Sequence, residues 1–179
     1  MDLIIRDACP ADLPAISAIY AAEVRNHVNT YEYDVPSQEE MQSRMQATVA
    51  AGYPYLVAVA AGEVLGYAYA SSYRARAGYR FTVENSVYVA AGRQGLGIGA
   101  ALLERLIAEC QARGYRQMIA VIGEPSNTAS IRLHEKFGFH LIGVFGGIAW
   151  KHGRWLDTVQ MQRALGSGSG DAPPEDNLP

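Results

Sequence analysis

Three glycines at every second position, Gly95, Gly97 and Gly99, stand in "RQGLGIGA" (residues 93–100), directly before the apolar, alanine-rich run "ALLERLIAEC". A chain omits side chains so regularly in front of a helix where its backbone must bend sharply or lie against something. Phosphate groups are the ligands such loops serve, because free amides and a partial positive charge meet at a helix N-terminus. A P-loop is excluded, since Ala100 and Ala101 stand where Lys-Ser or Lys-Thr is required. A dinucleotide fingerprint is formally met: "GLGIGA" satisfies G-x-G-x-x-[G/A], and Glu124 follows roughly 20 residues later. The same glycines also fit a tight strand-to-helix turn with no ligand.

Three further places carry chemistry. Glu84 lies inside "FTVENSVYV", where period-2 alternation groups it with Thr82, Ser86 and Tyr88. A carboxylate in such a β-rich run is either a solvent-facing residue or a base on a wet face. His134 follows Ser130 by four and Asn127 by seven, which puts all three near one helix face, while Leu133 and Phe137 pair toward the core. A lone histidine there either transfers protons or makes a positional hydrogen bond, and Asn127 is equally an N-cap. "YRARAGYR" gathers Arg74, Arg76 and Arg80, which suit bidentate binding of a carboxylate or a solvated basic face. Tyr31, Lys151, Trp155 and Asp157 carry a weaker signal. His27, His140 and His152 have no ligand spacing with one another or with Cys9 and Cys110, so no metal is expected.

The elements that must position these residues can be read from periodicity. "LIIRDA" reads as a strand, and Leu13, Ile16, Ile19, Tyr20 and Val24 predict a helix from Pro10 to Arg25. "SQEE" announces a second helix, with Ser37 as cap, Glu40 reaching back and Gly52 as stop. "YPYLVAVA", "VLGYAYAS" and "FTVENSVYV" read as strands, the first two antiparallel across "AGE". The helix after the glycines stops at Gly114, and a crossover leaves "YRQMIAVIG" parallel to "SVYV". A short helix "NTASIRLHEKFG" and two strands folded at "KHGR" complete the chain. A dinucleotide fold would put its glycine loop in the first βα turn and repeat βα units afterwards, so this order suits it badly.

Composition bounds the class. The 179 residues, 49% hydrophobic, predict one globular domain over residues 1–165. The Gly, Ser, Pro and acidic residues of 166–179 predict a flexible tail. The net charge of −3 arises in that tail, from Asp171, Glu175 and Asp176, so a nucleic-acid partner is not expected. The N-terminus "MDLIIRDACP" has acidic residues where a signal peptide needs basic ones, and no apolar run is long enough to span a bilayer, so a cytoplasmic protein without a membrane partner is expected.

"VYVAAGRQGLGIGAALL" resembles the cofactor motif of the GNAT superfamily of acyl-CoA-dependent N-acetyltransferases, and "NTASIRLHEKFGF" resembles its second conserved stretch. "YRARAGYRFTVENSVYV", "AVIGEPSNTASIRLHEKFGF" and "WKHGRWLD" are similar to the phosphinothricin and methionine sulfoximine acetyltransferase branch. The resemblance implies a mixed α/β fold, with a mostly antiparallel central sheet splayed in its middle and helices on both faces. Acetyl-CoA is implied as co-substrate. Its diphosphate would lie on the amides of Gln94, Gly95, Leu96, Gly97, Ile98, Gly99 and Ala100. Its pantetheine would lie along Val87, Tyr88 and Val89, with Asn127 and Ser130 nearby. Glu84 is implied as general base and His134 as acid or positional group. Arg74, Arg76 and Tyr31 are implied to bind a small amino-acid-like substrate, and a homodimer is implied. Other amino acids or small amines as substrates, a non-catalytic acyl-CoA-binding module and a dinucleotide oxidoreductase remain the alternatives.

Overall fold

A computed structural model describes residues 2–173. Its seven strands are β1 (Ile4–Asp7), β2 (Tyr55–Ala60), β3 (Glu63–Ser72), β4 (Thr82–Val89), β5 (Gln117–Ile122), β6 (His140–Lys151) and β7 (Arg154–Ala164). Its four α-helices are α1 (Leu13–Asn26), α2 (Gln38–Ala50), α3 (Ile98–Ala112) and α4 (Thr128–Lys136). The strands form one sheet in the order β1-β2-β3-β4-β5-β7-β6. Every neighbouring pair is antiparallel except β4–β5. A single parallel pair is incompatible with the repeated βα units of a dinucleotide fold, which removes that reading of the glycine loop.

Alternation along the strands builds two apolar layers. Leu56, Ala68, Val83, Met118 and Ala120 meet Leu102, Leu103 and Leu106 of α3, with Ile131 and Leu133 of α4 packed against them. Tyr55, Val57, Tyr67 and Tyr88 meet Ile16, Ile19 and Val24 of α1 and Met41 and Met45 of α2. Successive residues such as Leu56 and Val57 therefore serve opposite faces, as the pleat requires. α3 comes very close to the sheet at Gly66, where a Cβ would lie 2.8 Å from the Tyr88 carbonyl oxygen and 3.2 Å from Ile98 and Leu102.

Local departures from the sequence reading have identifiable causes. The first helix begins as a 3₁₀ turn at Pro10–Asp12 before α1 takes over at Leu13. The Asp12 carboxylate accepts the Cys9 amide at 2.8 Å and both guanidinium nitrogens of Arg6 at 2.7 Å, fixing that turn. At α2, Ser37 Oγ accepts the Glu40 amide, but the Glu40 carboxylate pairs with Arg44 at 2.8 Å instead of reaching back. The β2–β3 turn places Ala61 and Gly62 at positive φ, as a tight hairpin turn demands. Past β7, Leu165 is fully buried, and Arg116 pairs with Asp171 at 2.8 Å, so the first residues of the expected tail lie on the body. Residues 174–179 of that tail fall outside the described residues. Among the described residues no helix is long and apolar enough to cross a membrane.

Two predictions follow from packing and charge. Gly66→Ala forces a backbone contact that cannot relax by rotamer change, and is expected to cost about 1–3 kcal/mol in chemical denaturation. Hydrogen bonding from Arg6 lowers the Asp12 carboxyl to about 2. Stability linked to Asp12 is therefore present above the unfolded carboxyl range and lost as pH falls through about 2. Asp12→Asn should be about 1–2 kcal/mol less stable than the parent at neutral pH, a gap reduced by the half-exposed Arg6 and closing in acid.

Candidate active site

The site begins where β4 and β5 part. Their parallel pairing runs from Thr82↔Gln117 to Asn85↔Ala120 and ends there, although β4 continues to Val89 and β5 to Ile122. The Ala90 amide donates to Leu65 of β3 at 2.9 Å and the Thr82 carbonyl accepts from Tyr73. Alternation therefore turns the backbone groups of Val87 and Val89 away from β3, toward the gap. The fork opens into a cleft of about 620 Å³ that crosses the sheet. Along one wall of it β4 is an edge strand with free amides and carbonyls.

On the α3 face the glycine loop closes one end of this cleft. Gly95 and Gly97 have φ of 78° and 80°, and an added Cβ at either would meet nothing within 4 Å, so glycine is needed there for conformation rather than space. Gly99 differs: it lies inside α3, where a Cβ would contact Leu133 at 3.4 Å and Val89 at 3.6 Å. The first helical bond runs from the Ala101 amide to the Gly97 carbonyl, and no side chain caps the helix, so the amides of Ile98, Gly99 and Ala100 have no partner within it. Gln94, Gly95, Gly97, Ile98, Gly99 and Ala100 border the cleft, whereas Leu96 is 53% exposed and does not. This row of free amides fits a diphosphate without any lysine.

On the α1 face the same opening is lined by Glu84 with Tyr20, Tyr69 and Tyr88. Glu84 is half-buried and has no ion pair among the described residues. Burial pushes its carboxyl above the ordinary glutamate value. The wet face that sequence alternation demanded is thus a tyrosine-lined hollow rather than open surface. Glu23 also borders it, holding Asn29 Nδ2 at 2.7 Å.

Between these halves stand His134 and Asn85. His134 is 4% exposed, with Nδ1 at 2.8 Å from the Ser130 carbonyl and Nε2 at 3.1 Å from Asn85 Oδ1. Asn85 Nδ2 donates to the Ile119 carbonyl at 3.0 Å, fastening β4 to β5 at the last paired register. Asn127 Oδ1 accepts the Ser130 amide at 3.1 Å as the N-cap of α4, and its Nδ2 donates to Asn29 at 2.9 Å. Sequence reasoning missed Asn85. Its signal was a polar residue on the alternation that carries Val83, Val87 and Val89, the apolar face of β4.

The residues leading from α1 to α2 form the roof. Gly123 lets this segment touch the end of β5, since a Cβ there would lie 2.0 Å from the Val28 carbonyl oxygen. Lys151, buried at 2% exposure, donates to the carbonyls of His27 and Thr30 at 2.8 and 2.7 Å, and burial lowers its amine pKa. Tyr31 borders the cleft with its hydroxyl on Thr158. Asp157 accepts the Gly147 amide at 2.8 Å, and Trp155 packs edge-on to Trp150, both away from the cleft lining. Arg74 and Arg76 do not border it either. Arg74 lies over the rings of Tyr73 and Tyr79 at 5.1 and 5.6 Å, and Arg76 is exposed at the start of a 3₁₀ turn. Their loop begins just beyond the Ser71↔Glu84 pair.

Comparison with known proteins agrees with this geometry. Residues 15–139 match the acetyltransferase (GNAT) family model. The chain is 49% identical over 162 residues to a phosphinothricin N-acetyltransferase of Alcaligenes faecalis, covering 90% of this chain and 82% of that one. It is 44% identical over 166 residues to an L-methionine sulfoximine/L-methionine sulfone acetyltransferase of Pseudomonas paraeruginosa, covering 92% and 96%. The crystal structure of a GNAT superfamily phosphinothricin acetyltransferase from Sinorhizobium meliloti, in complex with acetyl-CoA, superposes with a TM-score of 0.96 at 49% identity, covering 100% of this chain and 97% of that one. A sheet forked after one parallel pair, free amides at the head of α3 and these relatives lead to one conclusion: the chain belongs to the GNAT acetyltransferase family.

Proposed function

We propose that the protein transfers acetyl from acetyl-CoA to the α-amine of a small amino-acid analogue of the phosphinothricin or methionine sulfoximine type, directly and with Glu84 as general base. The observation that carries this reading is the place of Glu84: a half-buried carboxylate with no ion pair among the described residues, on the tyrosine-lined side of a cleft whose other end is a phosphate-fitting loop. The amides of 94–100 would hold the diphosphate, and Val87 and Val89 would pair with the pantetheine arm as an added strand. Acetyl-CoA supplies the activated thioester.

Glu84 takes one proton from the substrate ammonium, freeing its lone pair. The new C–N bond forms as the C–S bond breaks, the electron pair leaves on sulfur, and the second amine proton neutralises the thiolate. Both ring nitrogens of His134 already face protein oxygens, which favours the positional role for it. Arg74 and Arg76 are assigned to the substrate carboxylate, delivered by movement of their loop or from a second subunit. A small amine or an ordinary amino acid is the second reading; a cleft lining that holds Glu23 and Glu84 but neither Arg74 nor Arg76 favours the small amine of these two.

A homodimer through β6 is also proposed. This edge strand exposes Leu141, Ile142, Val144, Phe145, Ile148 and Trp150, a row too apolar to face water alone. The unpaired thiols, Cys9 exposed and Cys110 buried, suit the reducing cytoplasm.

Glu84→Gln is expected to lower kcat by about 10²-fold or more with acetyl-CoA affinity unchanged. In the parent, kcat/KM should rise with pH through an apparent pKa above that of an ordinary glutamate, because the base must be ionised; this limb should vanish in Glu84→Gln. Loss of acetyl-CoA binding in that variant would refute the assignment. A kcat/KM series over phosphinothricin, methionine sulfoximine, ordinary amino acids and polyamines tests the acceptor, and superiority of polyamines would overturn it. Light scattering should give twice the chain mass, and Ile148→Glu should give the monomer.

A further inference from the structure

The Ser130 carbonyl, His134, Asn85 and the Ile119 carbonyl form a chain of contacts with an acceptor at each end. The Ile119 carbonyl can only accept, so Asn85 must turn Nδ2 toward it and Oδ1 toward His134. The Ser130 carbonyl can only accept, so Nδ1 must carry a proton. A neutral imidazole then has a bare lone pair on Nε2, 3.1 Å from the lone pairs of Asn85 Oδ1. The other neutral tautomer moves the clash to Nδ1, 2.8 Å from the Ser130 carbonyl oxygen, where the one donor at hand, the Ser130 hydroxyl, is farther off at 3.5 Å. One additional proton satisfies every contact.

We propose that Asn85 is a positioning residue that holds His134 in its doubly protonated form, placing a fixed positive charge in the cleft wall at the β4–β5 fork. The position within α4 supports this, because His134 lies in its last turn, where the helix dipole favours a cation. Burial acts the other way and lowers the ring's pKa, with the Ser130 carbonyl opposing it; the bond to Asn85 Oδ1 is the second contact that a charged ring strengthens. The surrounding charges are few. On α4 itself Arg132, Glu135 and Lys136 are exposed, as are Glu104 and Arg105 of α3, and β5 carries no ionisable side chain. Glu84 leaves β4 on the opposite face, Arg163 of β7 donates to the Phe137 carbonyl, and the Phe139 ring stands edge-on at 4.9 Å. The charge is therefore set by the two oxygens rather than by a carboxylate partner. What it accomplishes rests on the acetyl-transfer reading: it lies in the wall of the cleft along which negative charge develops on the departing sulfur.

Long-range ¹H–¹⁵N spectra of the intact, ligand-free protein at neutral pH test the proposal without turnover. Both ring nitrogens of His134, assigned by their loss in His134→Gln, are expected to be protonated; a single protonated nitrogen in the parent overturns the proposal, whether or not any Asn85 variant folds. Asn85→Leu removes the acceptor, and is expected to leave His134 singly protonated and to lower kcat about 10-fold or more with acetyl-CoA affinity little changed. Asn85→Asp keeps the acceptor and should retain both protons and more of the activity than Asn85→Leu. A doubly protonated His134 in Asn85→Leu would also refute the role of Asn85. Failure of the acetyl-transfer reading would show separately, as a parent protein that does not release thiol from acetyl-CoA.

Discussion

Everything in this molecule depends on two parallel strands that stop pairing. Backbone amides and carbonyls inside a sheet are obligatory hydrogen-bonding groups, and a strand that leaves its neighbour in mid-sheet exposes a row of them. β4 does this after Asn85 while still held by β3 on its other edge. The opening is bordered by Ile98 of α3 and Leu133 and His134 of α4 on one face and by Asn29, Thr30 and Tyr31 on the other. A ligand with its own amides can complete the ladder, and the pantetheine arm of acetyl-CoA has them.

The other parts of the site follow from this geometry. A helix that starts next to the fork must present its unpaired amides there, which is why the loop before α3 carries left-handed glycines and no cap. A strand that runs past the fork alternates between the two faces, so Glu84 and Asn85, adjacent in sequence, face different surroundings: one a tyrosine-lined hollow, the other His134 of α4. The fork, the free amides of the glycine loop and Glu84 are then held relative to one another by regular elements, while the segments 27–31 and 73–81 are loops.

Much of this was legible in the sequence because the controlling residues break a local rule. Glycines before a helix, a glutamate in a β-branched run and a parallel crossover each mark themselves. Gly99 shows the limit of such reading: it shares the spacing of Gly95 and Gly97 but is glycine for proximity to Leu133 and Val89, a tertiary reason. Asn85 was overlooked because a single polar residue in a strand is common, and its meaning arises only when Ile119 and His134, from separate elements, converge on it. Arg74 and Arg76 were read as a substrate clamp from composition and resemblance, while their placement is decided by a loop whose path no periodicity encodes. Lys151 gave only a weak signal because its partners are carbonyls from residues more than a hundred positions away.

The contact at Gly123 bears on how new specificities could arise. A main-chain carbonyl fills the space where any side chain would go, and Lys151 fastens the adjacent carbonyls. Those restraints act on backbone atoms and are indifferent to the identities of Val28, Asn29, Thr30 and Tyr31. The course of the roof therefore has an anchor that no side-chain substitution within it removes, beside the bonds that Asn29, Thr30 and Tyr31 make through their own side chains to Glu23, Asn127, Tyr20 and Thr158. A change of side chain there would alter the cleft lining and cost the bonds of that one residue, while the backbone anchors at Gly123 and Lys151 persist.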